Sequence, residues 1–153
     1  MSLDHYFLLG THFKAGEFAC HDRKDQGPPD NFGITINDTV EFLERLRGFQ
    51  NFWLFQKTGE WPDLGIHILS GYRNLRYNLA IGSTKSSAHV SGHAADVTPS
   101  GGFRRVKYAD FYEMAELVDK SFSDRAYRIG KYTQSGFVHI DCRYGHGGLR
   151  WGR

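Results

Sequence analysis

Three short pieces of the sequence concentrate the side chains able to do chemistry: Ser70-Gly71-Tyr72-Arg73, then Ser87-Ala88-His89-Val90-Ser91-Gly92-His93-Ala94-Ala95-Asp96, then Phe137-Val138-His139-Ile140-Asp141. Imidazole and carboxylate are good zinc donors, and a catalytic zinc keeps three protein ligands with a fourth position open to water. His89, Asp96 and His139 supply such a set, two from a loop-to-strand segment and the third from another strand. The same groups would also serve as solvated or hydrogen-bonded His–Asp pairs, and residue types alone leave both readings open. His89 and His93 are spaced like the paired histidines of a helical zinc site. That version is rejected, because Ser91 and Gly92 lie between them and no glutamate follows His89. Gly147-Gly148 makes a poor phosphate cradle, since neither a helix start nor a P-loop lysine follows.

The elements that must position these residues are partly readable. A helix is expected from near Thr35, with Asp38 completing a capping box and Val40, Leu43 and Leu46 at helical spacing. A second runs from Tyr108 to about Phe122, where Tyr108, Phe111, Tyr112, Ala115, Val118 and Phe122 trace one stripe. A shorter helix spans Asn74 to Ile81 and stops at Gly82. Strands are expected at Ile66–Leu69, Ala94–Val97, Tyr127–Ile129 and Phe137–Asp141. In the last, alternation puts His139 and Asp141 on one face and Val138 and Ile140 on the other. Loops are expected at Asp22–Gly33 and Thr58–Gly65. Helices and strands that do not alternate regularly predict an α+β fold, a small antiparallel sheet with helices packed on it.

Composition narrows the classes. The chain of 153 residues is 40% hydrophobic and 24% charged, which suits one domain over 1–153 with a core large enough to dispense with disulfides. A formal charge of +2, from 19 basic and 17 acidic residues, gives no electrostatic case for nucleic acid or anionic lipid. No apolar stretch approaches a membrane span, and Asp4 with the short apolar run Tyr6–Leu9 does not make a secretory signal. Cys20 and Cys142 allow one disulfide or two thiols. A monomer is expected.

The pattern S-x-H-x-x-G-x-A-x-D, formed by Ser87, His89, Gly92, Ala94 and Asp96, is preceded by S-G-Y-R and followed by F-V-H-I-D. Together these resemble the zinc D-alanyl-D-alanine carboxypeptidase family, which includes L-alanyl-D-glutamate endopeptidases of phage endolysins. That family shares a superfamily with lysostaphin and the hedgehog signalling domain. His12-Phe13-Lys14 to Glu17-Phe18-Ala19-Cys20 and the closing Arg150-Trp151 also resemble its short members. The resemblance implies a hedgehog- or D-Ala-D-Ala-peptidase-like fold and one zinc per chain on His89, Asp96 and His139. It implies hydrolysis of peptide bonds in peptidoglycan stem peptides. It also implies that Arg73 binds a substrate carboxylate or carbonyl, a role that suits a planar guanidinium. Ser87 is expected to fix its loop by hydrogen bonding, and Gly92 to permit a turn.

Many relatives carry a glutamate three residues before the last histidine ligand, where this chain has Gly136. The general base for amide hydrolysis must then come from elsewhere. Asp141 is the first candidate, with the alternative that it only orients a ligand or a neighbouring arginine. His93 is the second, with the alternative of an exposed loop histidine. His146 either lines the cleft or faces solvent, and His5, His12, His21 and His67 read as structural or surface residues. Specificity rests with the loops around Arg73, Tyr132 and the tail. The missing glutamate motivates a competing reading, a catalytically inactive zinc-containing module that binds cell wall or a partner. A third is a virion component with a structural metal. The N-terminus fits a phage- or prophage-encoded enzyme that reaches the wall through a holin, a virion or lysis, and equally a cytoplasmic protein or one trimmed of its leader.

Overall fold

The structure, a computed structural model, describes residues 12–22, 33–143 and 148–152, with backbone alone at 33–36. The expected loop at Asp22–Gly33 lies almost wholly outside these residues, as do His5 and His146. The chain makes a 3-10 turn at Ala15–Phe18, α1 at Gly33–Thr58, β1 at Ile66–Ser70 and α2 at Leu75–Ala80. It continues with β2 at Ala94–Pro99, α3 at Tyr108–Lys120, β3 at Arg128–Tyr132, β4 at Phe137–Asp141 and β5 at Arg150–Gly152. The strands form one sheet in the order β1-β2-β4-β3-β5.

The α+β class stands, but the sheet is mixed rather than antiparallel. Strand β5 runs parallel to β3, pairing Ile129 with Arg150 and Gly130 with Trp151, while the other neighbours are antiparallel. Three residues are too few for alternation to reveal a strand, and this pairing joins segments distant in sequence. Helix α1 begins at Gly33, so Thr35 lies inside its first turn rather than at a cap. Asp38 instead pairs with Arg125 at 2.9 Å, and its carbonyl accepts a hydrogen bond from the Tyr127 hydroxyl. Helix α2 is bounded as the residues predict. The Asn74 side chain accepts from the Tyr77 amide, and Gly82 beyond the last turn takes the left-handed φ of +83° that suits a helix end.

Alternation along the central strands divides the molecule into two faces. Ala95, Val97, Ile129, Val138 and Ile140 join Phe42, Leu43 and Leu46 of α1 and Phe111, Met114, Ala115 and Val118 of α3 in one buried hydrophobic cluster. The stripe anticipated on α3 is the face that fills this layer. Each buried aliphatic or aromatic side chain there contributes about 1.5–3 kcal/mol by leaving water. The opposite face of β2 and β4 presents Asp96, His139 and Asp141. Both expected strands extend past their predicted ends: β2 runs on to Pro99, and β3 starts at Arg128 and runs to Tyr132. Cys20 and Cys142 are both buried free thiols, and burial pushes the Cys142 thiol up to about 11. Among the described residues no helix is long and apolar enough to cross a membrane.

Candidate metal centre

Antiparallel register sets the site. Asp96 on β2 lies directly opposite His139 on β4, so two polar side chains meet on the face away from the helices. The loop before β2 brings the third. Ser87 Oγ accepts from the His89 amide at 3.3 Å, and Gly92 adopts a left-handed φ of +73° as the chain turns into the strand. His89, Asp96 and His139 are 3%, 4% and 8% exposed. Their donor atoms form a tight triangle: His89 Nε2 to Asp96 Oδ1 3.2 Å, His89 Nε2 to His139 Nδ1 3.2 Å, and His139 Nδ1 to Asp96 Oδ1 2.8 Å. Ligands bound to zinc at about 2.0–2.1 Å in a tetrahedron are roughly 3.3 Å apart, close to these edges.

Proton placement decides what the triangle can hold. His89 Nδ1 lies 2.6 Å from the Gly71 carbonyl, which can only accept, so Nδ1 carries the hydrogen and Nε2 offers a lone pair. His139 Nε2 lies 3.0 Å from Asp141 Oδ2, so in its neutral form it donates there and Nδ1 offers the other lone pair. Asp96 Oδ1 is a carboxylate acceptor. Two imidazole lone pairs and a carboxylate oxygen thus converge with no hydrogen between them, an arrangement that calls for a cation. These residues fit a zinc ion. Gly71 itself is tightly confined: a Cβ there would meet Phe18 Cα at 2.6 Å, and the neighbouring Tyr72 amide donates to the Phe18 carbonyl at 2.8 Å.

Electrostatics follow from the same contacts. Burial by itself would raise the Asp96 carboxyl, but the two facing imidazoles, His89 foremost and then His139, hold it far below the usual carboxylate range. Burial by itself would lower His139, but the carboxylates of Asp141 and Asp96 beside its two ring nitrogens outweigh that and raise it. For His89 burial wins, and it is lowered.

Around the triangle lies a cleft of about 510 Å3, lined by Arg73, Ser87, Arg128, Tyr132, Arg143 and Trp151 among others. Such a volume suits a small ligand or a short peptide segment. Arg73 reaches Asp96 Oδ2 at 2.8 Å and donates from Nε to Ser70 Oγ at 2.8 Å. Asp141 is fully buried behind His139 and held by Arg128 through two hydrogen bonds of 2.7 and 2.6 Å. His93 is not among the residues lining this cleft. It lines an adjoining depression with Lys85, Val90 and Ser91, which shares Ser86, Ser87 and Arg143 with the cleft; it is bonded to Ser91 Oγ at 2.6 Å, and burial lowers its pKa. Gly136 lies in the β3–β4 turn with a left-handed φ of +72°, a conformation that a glutamate would adopt only under strain.

Two contributors, Arg128 and Arg143, carry no role in the sequence reading, while Ser70 and Gly71 figure there only as part of S-G-Y-R, without the contacts they make to Arg73 and His89. For Arg128 a signal existed, since an arginine on β3 lies opposite Asp141 once β3 and β4 are paired as a hairpin. Trp151, anticipated only as part of a closing motif, packs its ring 5.3 Å from that of His139 and donates to the Tyr132 hydroxyl at 2.9 Å. Gly130 makes room for it, because a Cβ there would lie 2.6 Å from the indole. His12 pairs with Glu44 at the surface, and His21 and His67 are exposed.

Among curated proteins, none matches the chain. The family comparison agrees with the geometry, spanning the N-terminal turn, the His89–Asp96 segment and β4: residues 11–141 match the family described as Peptidase M15, and the chain belongs to that peptidase family.

Proposed function

We propose that this protein is a zinc-dependent peptidase that hydrolyses peptide bonds in the stem peptides of bacterial peptidoglycan, as a D-Ala-D-Ala carboxypeptidase or an endolysin-type endopeptidase. The observation that carries the reading is the hydrogen-free triangle of His89 Nε2, Asp96 Oδ1 and His139 Nδ1 on the floor of an open cleft. A zinc ion held by these three atoms supplies Lewis acidity toward a scissile carbonyl and toward water. The protein's own residues keep the donors aligned. Gly71 fixes the tautomer of His89, Asp141 with Arg128 fixes that of His139, and Arg73 occupies the second oxygen of Asp96. Trp151 and Tyr132 wall the cleft beside His139.

On this geometry Asp141 is a positioning residue rather than the general base. Both of its oxygens are engaged by Arg128, one of them also by His139, and it is shut off from the cleft. His93 lines the adjoining depression rather than the cleft itself, which argues against it as the base. Among the described residues lining the cleft, Asp96 is the one carboxylate. That observation favours the second reading, a zinc-containing module that binds wall or a partner without cutting.

One experiment separates the two. Zinc-loaded protein is incubated with purified peptidoglycan, and release of new amino groups is followed with and without a chelator. Release that stops with the chelator and returns with zinc supports the peptidase. Wall binding with retained zinc and no release supports the module. Mass spectrometry of the digest reports which bond is cut.

A further inference from the structure

We propose that Arg143 selects the substrate by capturing a carboxylate carried on the peptide in the cleft; the identity of that occupant rests on the peptidase reading above. The described lining of the cleft holds three arginines, Arg73, Arg128 and Arg143, against one acid, Asp96. Two of the three are already committed. Arg73 is paired with Asp96 and tied to Ser70. Arg128 presents its Nε and Nη2 edge to both oxygens of Asp141.

Arg143 is different. Its Nη1 donates to the Ser86 carbonyl at 2.7 Å, but its Nε is buried with no hydrogen-bond partner. No carboxylate of a described residue lies within ion-pairing distance of it. The guanidinium is half-buried in the cleft wall, and its Nη2 makes no hydrogen bond to a described residue. With Nε buried, the Nη end is what a ligand can reach, and a charge-assisted hydrogen bond from it suits a carboxylate oxygen. The Ser86 contact ties this guanidinium to the loop that carries His89, and Arg143 lines both the cleft around the metal triangle and the adjoining depression beside His93. Arg73, the residue that family resemblance marks for the substrate, is by contrast occupied on Asp96.

The test uses zinc-loaded protein and fluorescently labelled muropeptides in two forms, with native carboxylates and with those carboxylates converted to amides. Binding is read by anisotropy on rapid mixing, before turnover, and cleavage is read separately as kcat/KM. Wild type is expected to bind the carboxylate form about tenfold to a hundredfold more tightly, the range for hydrogen bonds to charged groups. Arg143→Met should lose this preference, weakening binding of the carboxylate form more than that of the amide form, and Arg143→Lys should keep part of it. Equal binding of the two forms by wild type, no binding of either, or an Arg143→Met variant equally weakened for both would overturn the proposal. Should Arg143→Met lose zinc or fold poorly, the wild-type and lysine comparisons decide. Discrimination without cleavage would uphold Arg143 and remove the peptidase reading; equal cleavage of both forms would do the reverse.

Discussion

Two buried polar clusters in this protein obey opposite rules. Beneath the loop joining α1 to β1, Asn51 and Gln50 meet the backbone with donors facing acceptors. Asn51 Nδ2 donates to the Arg47 and Leu64 carbonyls, its Oδ1 accepts from the Leu64 amide, and Gln50 Nε2 donates to the Leu64 and Gly65 carbonyls. Apart from Gln50 Oε1, the cluster balances itself. At His89, Asp96 and His139 the balance fails by design of the surroundings. Every hydrogen is drawn outward, to Gly71 and to Asp141, and three acceptors are left facing one another. A cluster that closes its own hydrogen bonds holds the fold, whereas one whose partners strip it of hydrogens is built to take a cation.

The contrast can be broken most severely at the triangle. His139→Ala should reduce zinc from about one per chain to near zero and cut turnover more than about a hundredfold, beyond the usual cost of losing a supporting residue; elemental analysis and the amino-group assay check this. Asp141→Asn, which keeps the shape but loosens the Arg128 grip, should weaken zinc binding by roughly tenfold to a hundredfold with the fold intact, as competition with a chelating dye would show. Acid sharpens the comparison further. Zinc needs neutral His139, and that residue's pKa is raised above 6.5, so a proton displaces the ion as pH falls through that raised value. Zinc affinity should therefore begin to fall at a higher pH than for a histidine of ordinary pKa, by about tenfold per pH unit, in a pH series of zinc titrations. The least effect on the metal is expected from the balanced cluster. Asn51→Leu should cost about 2–3 kcal/mol of stability in thermal or urea unfolding, yet leave zinc per folded chain unchanged.

Much of the candidate site is legible because its candidate ligands sit where local pattern is strongest. Val138–Asp141 alternates apolar with polar after Gly136, so the strand and the shared face of His139 and Asp141 can be read directly. Asn74 and Gly82 bracket α2 through turn chemistry that acts within a few residues. What stayed hidden depends on pairing across the chain. That β5 joins β3 in parallel, and that Trp151 thereby lies over Gly130 beside His139, follows from tertiary register alone. Sequence does not separate a base from a support at Asp141, and its burial against Arg128, which favours support, depends on the pairing of β3 with β4. His93 shows the converse: its neighbours in sequence are site residues, yet the turn at Gly92 sends its side chain to another surface.

The confinement of Gly71 against Phe18 would link a bound ion to a part of the protein that never touches it. The carbonyl steering His89 belongs to a residue wedged on the Ala15–Phe18 turn, so loosening that turn would free the imidazole to rotate, and an ion gripping the imidazole would in turn pin the turn. Metal loading and resistance of the N-terminal segment to proteases should accordingly rise and fall together, which makes limited digestion a remote gauge of occupancy.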